Sequence, residues 1–290
     1  MVLASCAQLP EGDGDEAELV EVLAERGIRA RWAPWGGPVD SDELVVLRAS
    51  WDYTDHRAEF LDWCASLPAL VNPYQVVRRN TDKRYLARFA ETGLAVVPTV
   101  VHEVGAKLDP VWDQFVVKPA VGAGSRDAGR FTAETIESAR AHLRALHDRG
   151  TTVISQPYQH AVDIEGETSL VFFRGAYSHA FTKGPMLRTG QPPWRGTDGS
   201  DNPYLEERLG SAEPDAAMVA LGRDCLAVGA ADAGVTVEDV VYARVDLVRG
   251  ADGPMLLELE LTEPGLGFRH TGPEAMHRFA DAIASASRSQ

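Results

Sequence analysis

Hydrophobic and polar positions alternate with period two over residues 242–248 and again over 255–260. Such alternation predicts strands with one face on a core and the other on something polar. Arg249-Gly250-Ala251-Asp252-Gly253-Pro254 between them is turn chemistry, so the pattern predicts a hairpin. Its polar face carries Arg244 and Asp246 on one strand and Glu258 and Glu260 on the other. The first 75 residues alternate strand and helix. Short strands are predicted over 1–7, 28–32 and 70–71, with a continuous apolar run at 44–47 of the kind found in buried parallel strands. Helices are predicted over 13–26, stopped by Gly27, and over 57–67. This order predicts a small parallel sheet. Further on, Asn80-Thr81-Asp82-Lys83 opens a helix to about residue 91, with Thr81 or Asp82 as its cap. A strand at 115–119, a small-residue loop at 120–125, a helix at 133–148 and a strand at 152–155 follow. Strands at 167–173 and 176–181, a long polar loop at 187–205 and helices at 216–230 and 273–285 complete the reading.

Composition narrows the classes. The chain has 290 residues, enough for one large or two to three small domains, and 44% hydrophobic residues supply a sizeable core. A net charge of -15 argues against sequence-independent nucleic acid binding and against an anionic membrane surface. A nucleoside triphosphate stays compatible, because a pocket can be locally basic on an acidic protein. The three cysteines, Cys6, Cys64 and Cys225, show neither zinc spacing nor a disulfide framework, which fits a reducing cytoplasm. Leu3-Ala4-Ser5-Cys6 lacks the flanking regions of a lipoprotein signal and reads as the first strand. No apolar run approaches the ~20 residues that span a bilayer.

Candidate chemistry begins with the charged hairpin face. Carboxylates this close repel unless a cation sits among them, and hard oxygen ligands suit Mg²⁺. Alone, the same face fits an exposed hairpin with mixed charges. Lys83 and Lys118 are point charges beside a helix start and a strand end. Gly122-Ala123-Gly124-Ser125 could bring backbone amides and a hydroxyl up to phosphate, or could be a plain hairpin turn. It is not a Walker loop, since no Gly-Lys-Ser/Thr follows. Gln156-Pro157-Tyr158 after an apolar strand could pair with adenine or simply end the strand. Asp163, Glu165 and Glu167 offer carboxylates to ribose hydroxyls or to solvent. Arg48 and Asp52 follow the C-terminal end of a parallel strand, where such sheets place ligand contacts. They could bind a zwitterion or form a local pair beside a packed Trp51. The eight histidines are scattered, and no Ser-His-Asp or Cys-His spacing stands out.

Taken in order, these pieces resemble the ATP-grasp superfamily, in the branch of glutathione synthetase, ribosomal-protein glutamate ligases and D-alanine–D-alanine ligase. The motifs are 80–83, 115–125, 156–158, 166–173, Lys183, Arg244-Val245-Asp246 and Glu258-Leu259-Glu260. The resemblance covers about residues 76–270. It implies an α/β ATP-grasp fold: a small parallel-sheet substrate domain over 1–76, a central lid over 77–157 and a mixed-sheet catalytic part over 158–290. It implies that Lys83, Lys118 and Lys183 hold the ATP phosphates while Gly122, Gly124 and Ser125 close over them. Gln156, Pro157 and Tyr158 would hold adenine, and Glu167, or Asp163 or Glu165, the ribose. Asp246, Glu258 and Glu260 would bind two Mg²⁺, with Mn²⁺ as a substitute, and Arg244 would stabilise the acyl phosphate and the tetrahedral intermediate. The family usually has Asn where this chain has Glu260, which makes the site one charge more negative.

The implied activity is an ADP-forming carboxylate–amine ligase acting on a small amino-acid-like substrate. Arg48 and Asp52 in the N-terminal loop and Arg269 after the charged hairpin are the substrate candidates, with His270 beside Arg269 and Arg188 or Arg195 in the long 187–205 loop as further ones. Ser50-Trp51-Asp52-Tyr53 and residues 259–264 are similar to small stand-alone ATP-grasp enzymes of actinobacterial type. That set includes D-cycloserine-forming cyclo-ligases, which implies closure of O-ureido-D-serine in antibiotic biosynthesis as a specific candidate. A small-molecule kinase and a non-catalytic ATP-binding module are the alternatives on the same fold. The resemblance leaves a homodimer open.

Overall fold

A computed structural model describes residues 1–109, 111–196 and 207–288. In the first sheet, β1 (Val2–Ser5) and β3 (Leu44–Ala49) are buried at every position, because both faces of a parallel sheet are covered. The order is β2-β1-β3-β4, all parallel, with β2 at Arg31–Pro34 and β4 at Ala69–Val71. Leu19 and Leu23 of α1 (Leu19–Ala24) cover one face with Leu3 and Val46, and Phe60 and Cys64 of α2 (Arg57–Ser66) cover the other with Val45 and Leu47. The helix expected from residue 13 begins only at Leu19. Gly12 and Gly14 sit at φ +83 and +82, and the Asp15 and Glu16 side chains turn away to partners elsewhere. The second strand lies at 31–34 rather than 28–32, as Ile28 and Ala30 are used for packing.

Two helices, α3 (Tyr74–Asn80) and α4 (Tyr85–Glu91), replace the one expected from residue 80. Asn80 closes the first instead of opening the second. Its amide is occupied by Leu259 O and Leu261 N at 2.7 Å each. The second sheet is antiparallel, with order β5-β8-β6-β7: β5 (Val100–His102), β6 (Gln114–Pro119), β7 (Gly129–Thr132) and β8 (Val153–Pro157). Ala139, Leu143 and Leu146 of α5 (Ile136–His147) pack on Phe115, Val117 and Val153.

After α6 (Ala161–Glu165), the third sheet runs antiparallel in the order β11-β10-β9-β12-β13. Its strands are β9 (Glu167–Phe173), β10 (Ala176–Lys183), β11 (Leu209–Ser211), β12 (Tyr242–Gly250) and β13 (Gly253–Glu260). The expected hairpin is β12–β13, with Arg244 opposite Glu260 and Asp246 opposite Glu258. This register sets the four charges on one face. Helix α7 (Ala216–Ala233) packs close against the sheet through glycines. A Cβ at Gly229 would meet Leu259 Cδ2 at 2.5 Å. Helix α8 (Glu274–Ser287) packs with the first sheet and α1. The Tyr242 hydroxyl lies 3.0 Å from Leu47 O and from Val71 O and 2.8 Å from Thr262 O, joining the first and third sheets. Among the described residues, no helix is long and apolar enough to cross a membrane. Residues 197–205 of the expected long loop lie outside the described residues.

Candidate active site

Lys118 ends β6, Gln156 and Pro157 end β8, Glu167 begins β9 and Lys183 ends β10. With β12 and β13 they open on one cavity of about 1160 Å³. Of the nucleotide candidates, Lys83, Lys118, Gly122, Gly124, Ser125, Gln156, Pro157, Tyr158, Glu167 and Lys183 all line it. The Gly122–Ser125 turn joins β6 to β7. Gly124 and Ser125 both have positive φ, +57 and +56, a backbone that side chains beyond Gly rarely adopt. The Lys83 ammonium donates to Gly122 O at 2.5 Å, so the turn is tied to the start of α4. The Gln156 amide nitrogen donates to Thr99 Oγ1 at 3.0 Å, which leaves its carbonyl oxygen as an acceptor for an adenine amino group.

The ribose candidates separate. Glu167 lines the cavity and pairs with Lys183 at 3.1 Å. Asp163 does not line it: its carboxylate takes the Tyr158 hydroxyl at 2.6 Å and Arg130 at 3.0 Å, outside the cavity. Glu165 is likewise spent on Arg249 at 3.2 Å.

On the hairpin face each carboxylate faces a cation. Asp246 receives Lys183 at 2.7 Å and Arg244 at 2.9 Å, Glu260 receives Arg244 at 2.5 Å, and Glu258 receives Lys83 at 2.9 Å with Lys118 at 3.8 Å. Burial would raise Asp246, but Arg244 and Lys183 outweigh it and hold the carboxyl well below the usual range. Burial also works against Glu258, where Lys83 and Lys118 prevail and the net value is lowered. For Glu260 burial wins over Arg244, helped by repulsion from Glu258 and Asp246, and its affinity for a proton rises. Burial depresses Lys118, whereas Glu258 keeps the nearby Lys83 above its ordinary value. The face is therefore a charge-alternating network, and the ordinary exposed hairpin is excluded: Asp246 is 1% exposed and Arg244 6%.

Among the described residues, no group of three acidic, histidine or cysteine side chains converges as a ready metal cage. Mg²⁺ is usually held by one or two carboxylates together with substrate phosphates and water. Glu258 and Glu260 present hard oxygens to the cavity, while Asp246, 1% exposed and paired with Lys183 and Arg244, is not among its lining residues; one or two carboxylates are what the ion requires, so the residues fit it.

The substrate candidates fall out differently from expectation. Arg48 is 3% exposed and does not line the cavity. Its guanidinium is bound to both oxygens of buried Glu16 and donates to Pro264 O at 2.6 Å. Asp52 accepts from Trp35 Nε1 at 2.5 Å and also lies off the cavity. A parallel strand's C-terminal end does face the ligand region here, but these two side chains serve packing. Arg269 and His270 line the cavity rim, with Arg269 Nε donating to Gly14 O at 3.2 Å. Arg188 and Arg195 are exposed and off the cavity. Trp51, Tyr53 and Asn80, which belong to the 50–53 and 80–83 motifs, also line the cavity, as do Asp13, Asp15 and Glu263, which no sequence motif assigned to a ligand. The available signal was the run Thr262-Glu263-Pro264-Gly265 directly after the charged strand.

The same architecture is found in D-alanine–D-alanine ligase from Bacillus anthracis complexed with ATP. That structure aligns over 99% of this chain and 96% of its own at 12% identity, with a TM-score of 0.63. Fold and motif order together make the chain an ATP-grasp protein, in the class of ATP-dependent ligases. Residues 1–73 match the family model of the D-cycloserine synthetase DcsG N-terminal domain. A solved structure of D-cycloserine synthetase DcsG aligns over 99% of both chains at 36% identity with a TM-score of 0.86. The cycloserine biosynthesis protein DcsG of Streptomyces lavendulae is 39% identical over 94% of this chain and 93% of its own. The chain belongs to the D-cycloserine synthetase (DcsG) family of ATP-grasp ligases.

Proposed function

We propose that the enzyme closes O-ureido-D-serine to D-cycloserine, with ATP converted to ADP and phosphate. The carrying observation is the convergence of Lys83, Lys118, Lys183 and Arg244 on the carboxylates of one hairpin face, of which Glu258 and Glu260 line a cavity bordered by the second and third sheets and by segments that follow β1 and β3. Lys83, Lys118 and Lys183 bind the triphosphate, under the Gly122–Ser125 turn. Gln156 with the backbone of 157–158 holds adenine, and Glu167 holds the ribose. Asp246, Glu258 and Glu260 would hold Mg²⁺, for which Mn²⁺ could substitute, and such an ion would supply charge that offsets the polyphosphate during transfer.

The substrate carboxylate attacks the γ-phosphorus. A carboxyl O–P bond forms and the β–γ bridging O–P bond breaks, releasing ADP and leaving an acyl phosphate. A five-membered ring then requires attack by the oxygen-bound ureido nitrogen. The C–N bond forms, the acyl C–O bond breaks, phosphate departs, and the nitrogen's proton passes to solvent. D-cycloserine lacks the carbamoyl group, so water must remove it as ammonia and carbon dioxide. Arg244 faces the carbonyl oxygen that gains charge in this attack, as a preorganised oxyanion donor. Its two contacts to Asp246 and its bond to Gly265 O at 3.0 Å fix the guanidinium in place beforehand.

Purified enzyme with ATP, Mg²⁺ and O-ureido-D-serine should release ADP and phosphate in equal amounts with D-cycloserine. Release of AMP, or accumulation of a stable phosphorylated product as a kinase would give, contradicts the reading. The three free cysteines are all buried, in keeping with a reducing cytoplasmic setting.

A further inference from the structure

Four consecutive backbone carbonyls after β13 are each held by a different side chain. Tyr242 Oη donates to Thr262 O at 2.8 Å, Trp51 Nε1 to Glu263 O at 3.2 Å, Arg48 Nη2 to Pro264 O at 2.6 Å and Arg244 Nη1 to Gly265 O at 3.0 Å. Donors from β3 and the segment just after it and from β12 thus hold one short segment. What the clamp presents is the Glu263 side chain. Glu263 lines the cavity and is only 7% exposed. Among the described residues, no hydrogen bond or ion pair reaches its carboxylate.

The other deep carboxylates of the cavity are taken: Glu167 by Lys183, Glu258 by Lys83 and Glu260 by Arg244. Asp15 accepts from the backbone amides of Phe268 and Arg269 at 3.0 Å each. Asp13 and Glu207 line the cavity but are more exposed than Glu263. An ionised carboxylate buried without a partner is costly, and burial together with the charge of Glu260 pushes Glu263 up to about 8. A cation supplied by the ligand would reverse that penalty.

We propose that Glu263 binds the α-ammonium group of the amino-acid substrate and makes a free amino group a requirement for tight binding. The inference deepens the assignment of O-ureido-D-serine and rests on it. In that molecule the α-nitrogen is two bonds from the carboxyl carbon, so the group that meets it must flank the site of phosphoryl transfer. Glu263 is placed for this: it lies in the short segment between Glu260 of the charged hairpin face and Gly265, whose carbonyl accepts from Arg244, and all three line the same cavity. The rigid clamp fits a specificity role, since an ammonium anchor discriminates only if it cannot retreat from a ligand lacking the charge.

The test measures, by calorimetry in the presence of ADP and Mg²⁺, dissociation constants of O-ureido-D-serine and of its des-amino analogue, 3-(ureidooxy)propanoic acid. Wild type is compared with Glu263→Gln and Glu263→Asp. Glu263→Gln should weaken the amino substrate roughly 10- to 100-fold, the range expected for loss of one charge-assisted hydrogen bond, and leave the analogue unchanged. Glu263→Asp should recover part of the loss. ADP binding, equal in all three, reports that the variants are folded. Equal weakening of both ligands, or no weakening of either, overturns the inference. So does a Glu263→Gln enzyme whose kcat collapses while its substrate affinity holds, which is the signature of proton transfer. If wild-type enzyme does not turn over O-ureido-D-serine at all, the parent assignment falls and takes this inference with it.

Discussion

In the proposed mechanism Arg244 and Glu263 are the two side chains on which most of the chemistry turns, and they are unequally visible in the sequence. Arg244 announced itself by its spacing to Asp246 and by the alternation that set both on one face. Its removal should lower kcat about 10²–10³-fold, the usual cost of one oxyanion donor. Steady-state kinetics of Arg244→Ala with nucleotide binding retained would check this; unaltered turnover would refute the role. Glu263 has no such pattern, because a single acid before Pro-Gly looks like any turn residue. Only the packing of three segments around it shows that it is buried and unpartnered. Its burial makes a prediction about stability in ligand-free, metal-free protein. The folded state holds a proton on Glu263 up to about pH 8, against an ordinary value of 4.5. The stability linked to that proton is complete below the unfolded value and is lost as pH rises through the folded one. Glu263→Gln, which never ionises, should therefore gain on wild type between pH 6 and pH 9, by about 1–3 kcal/mol at the upper end. Scanning calorimetry at the two pH values reads it. A wild-type-to-variant gap that does not change with pH would contradict the assignment.

At the scale of elements, the period-two alternation located the hairpin because a strand with one buried face can satisfy it only one way. Helix starts were less legible. The 13–26 helix was foreshortened because Asp15 and Glu16 have partners far along the chain at Phe268, Arg269 and Arg48, and no local signal records that. Asn80 looked like the opening of a helix but serves β13 across the fold. Arg48 is the sharpest case. Its place after a parallel strand suggested a ligand contact, whereas its guanidinium holds Glu16 and the Pro264 carbonyl. Arg48→Ala should therefore act first on stability, leaving Glu16 buried without its partner at a cost of up to about 3–5 kcal/mol. Urea unfolding should show a lowered midpoint. A variant of wild-type stability with only a raised KM would restore the ligand-contact role. Gly229 is the complementary case: the 2.5 Å approach of Leu259 leaves no room for a side chain. Gly229→Val should push α7 off β13 and destabilise the fold by about 1–3 kcal/mol.

Across the whole molecule, the charged face depends on two sheets and a helix start: the lysines come from α4's entry, β6 and β10, and the carboxylates from β12 and β13, so the site exists only when the second and third sheets are assembled. The alternating motif order made this architecture readable, since each motif marks a strand end that must meet the others. The substrate end was not readable, because it is built from loops whose residues meet through tertiary contacts alone. The nucleotide should behave as a fastener between the layers: ATP with Mg²⁺ at 100 times its dissociation constant adds about 2.7 kcal/mol to the unfolding free energy by linkage. The central claim is that the substrate carboxylate is activated by direct phosphorylation. It is tested most directly by supplying O-ureido-D-serine with ¹⁸O in its carboxyl group and analysing the released phosphate by mass spectrometry. One ¹⁸O atom should appear in each phosphate formed, because the carboxyl oxygen that attacks the γ-phosphorus leaves with it. Phosphate free of ¹⁸O, with D-cycloserine still produced, would contradict the account.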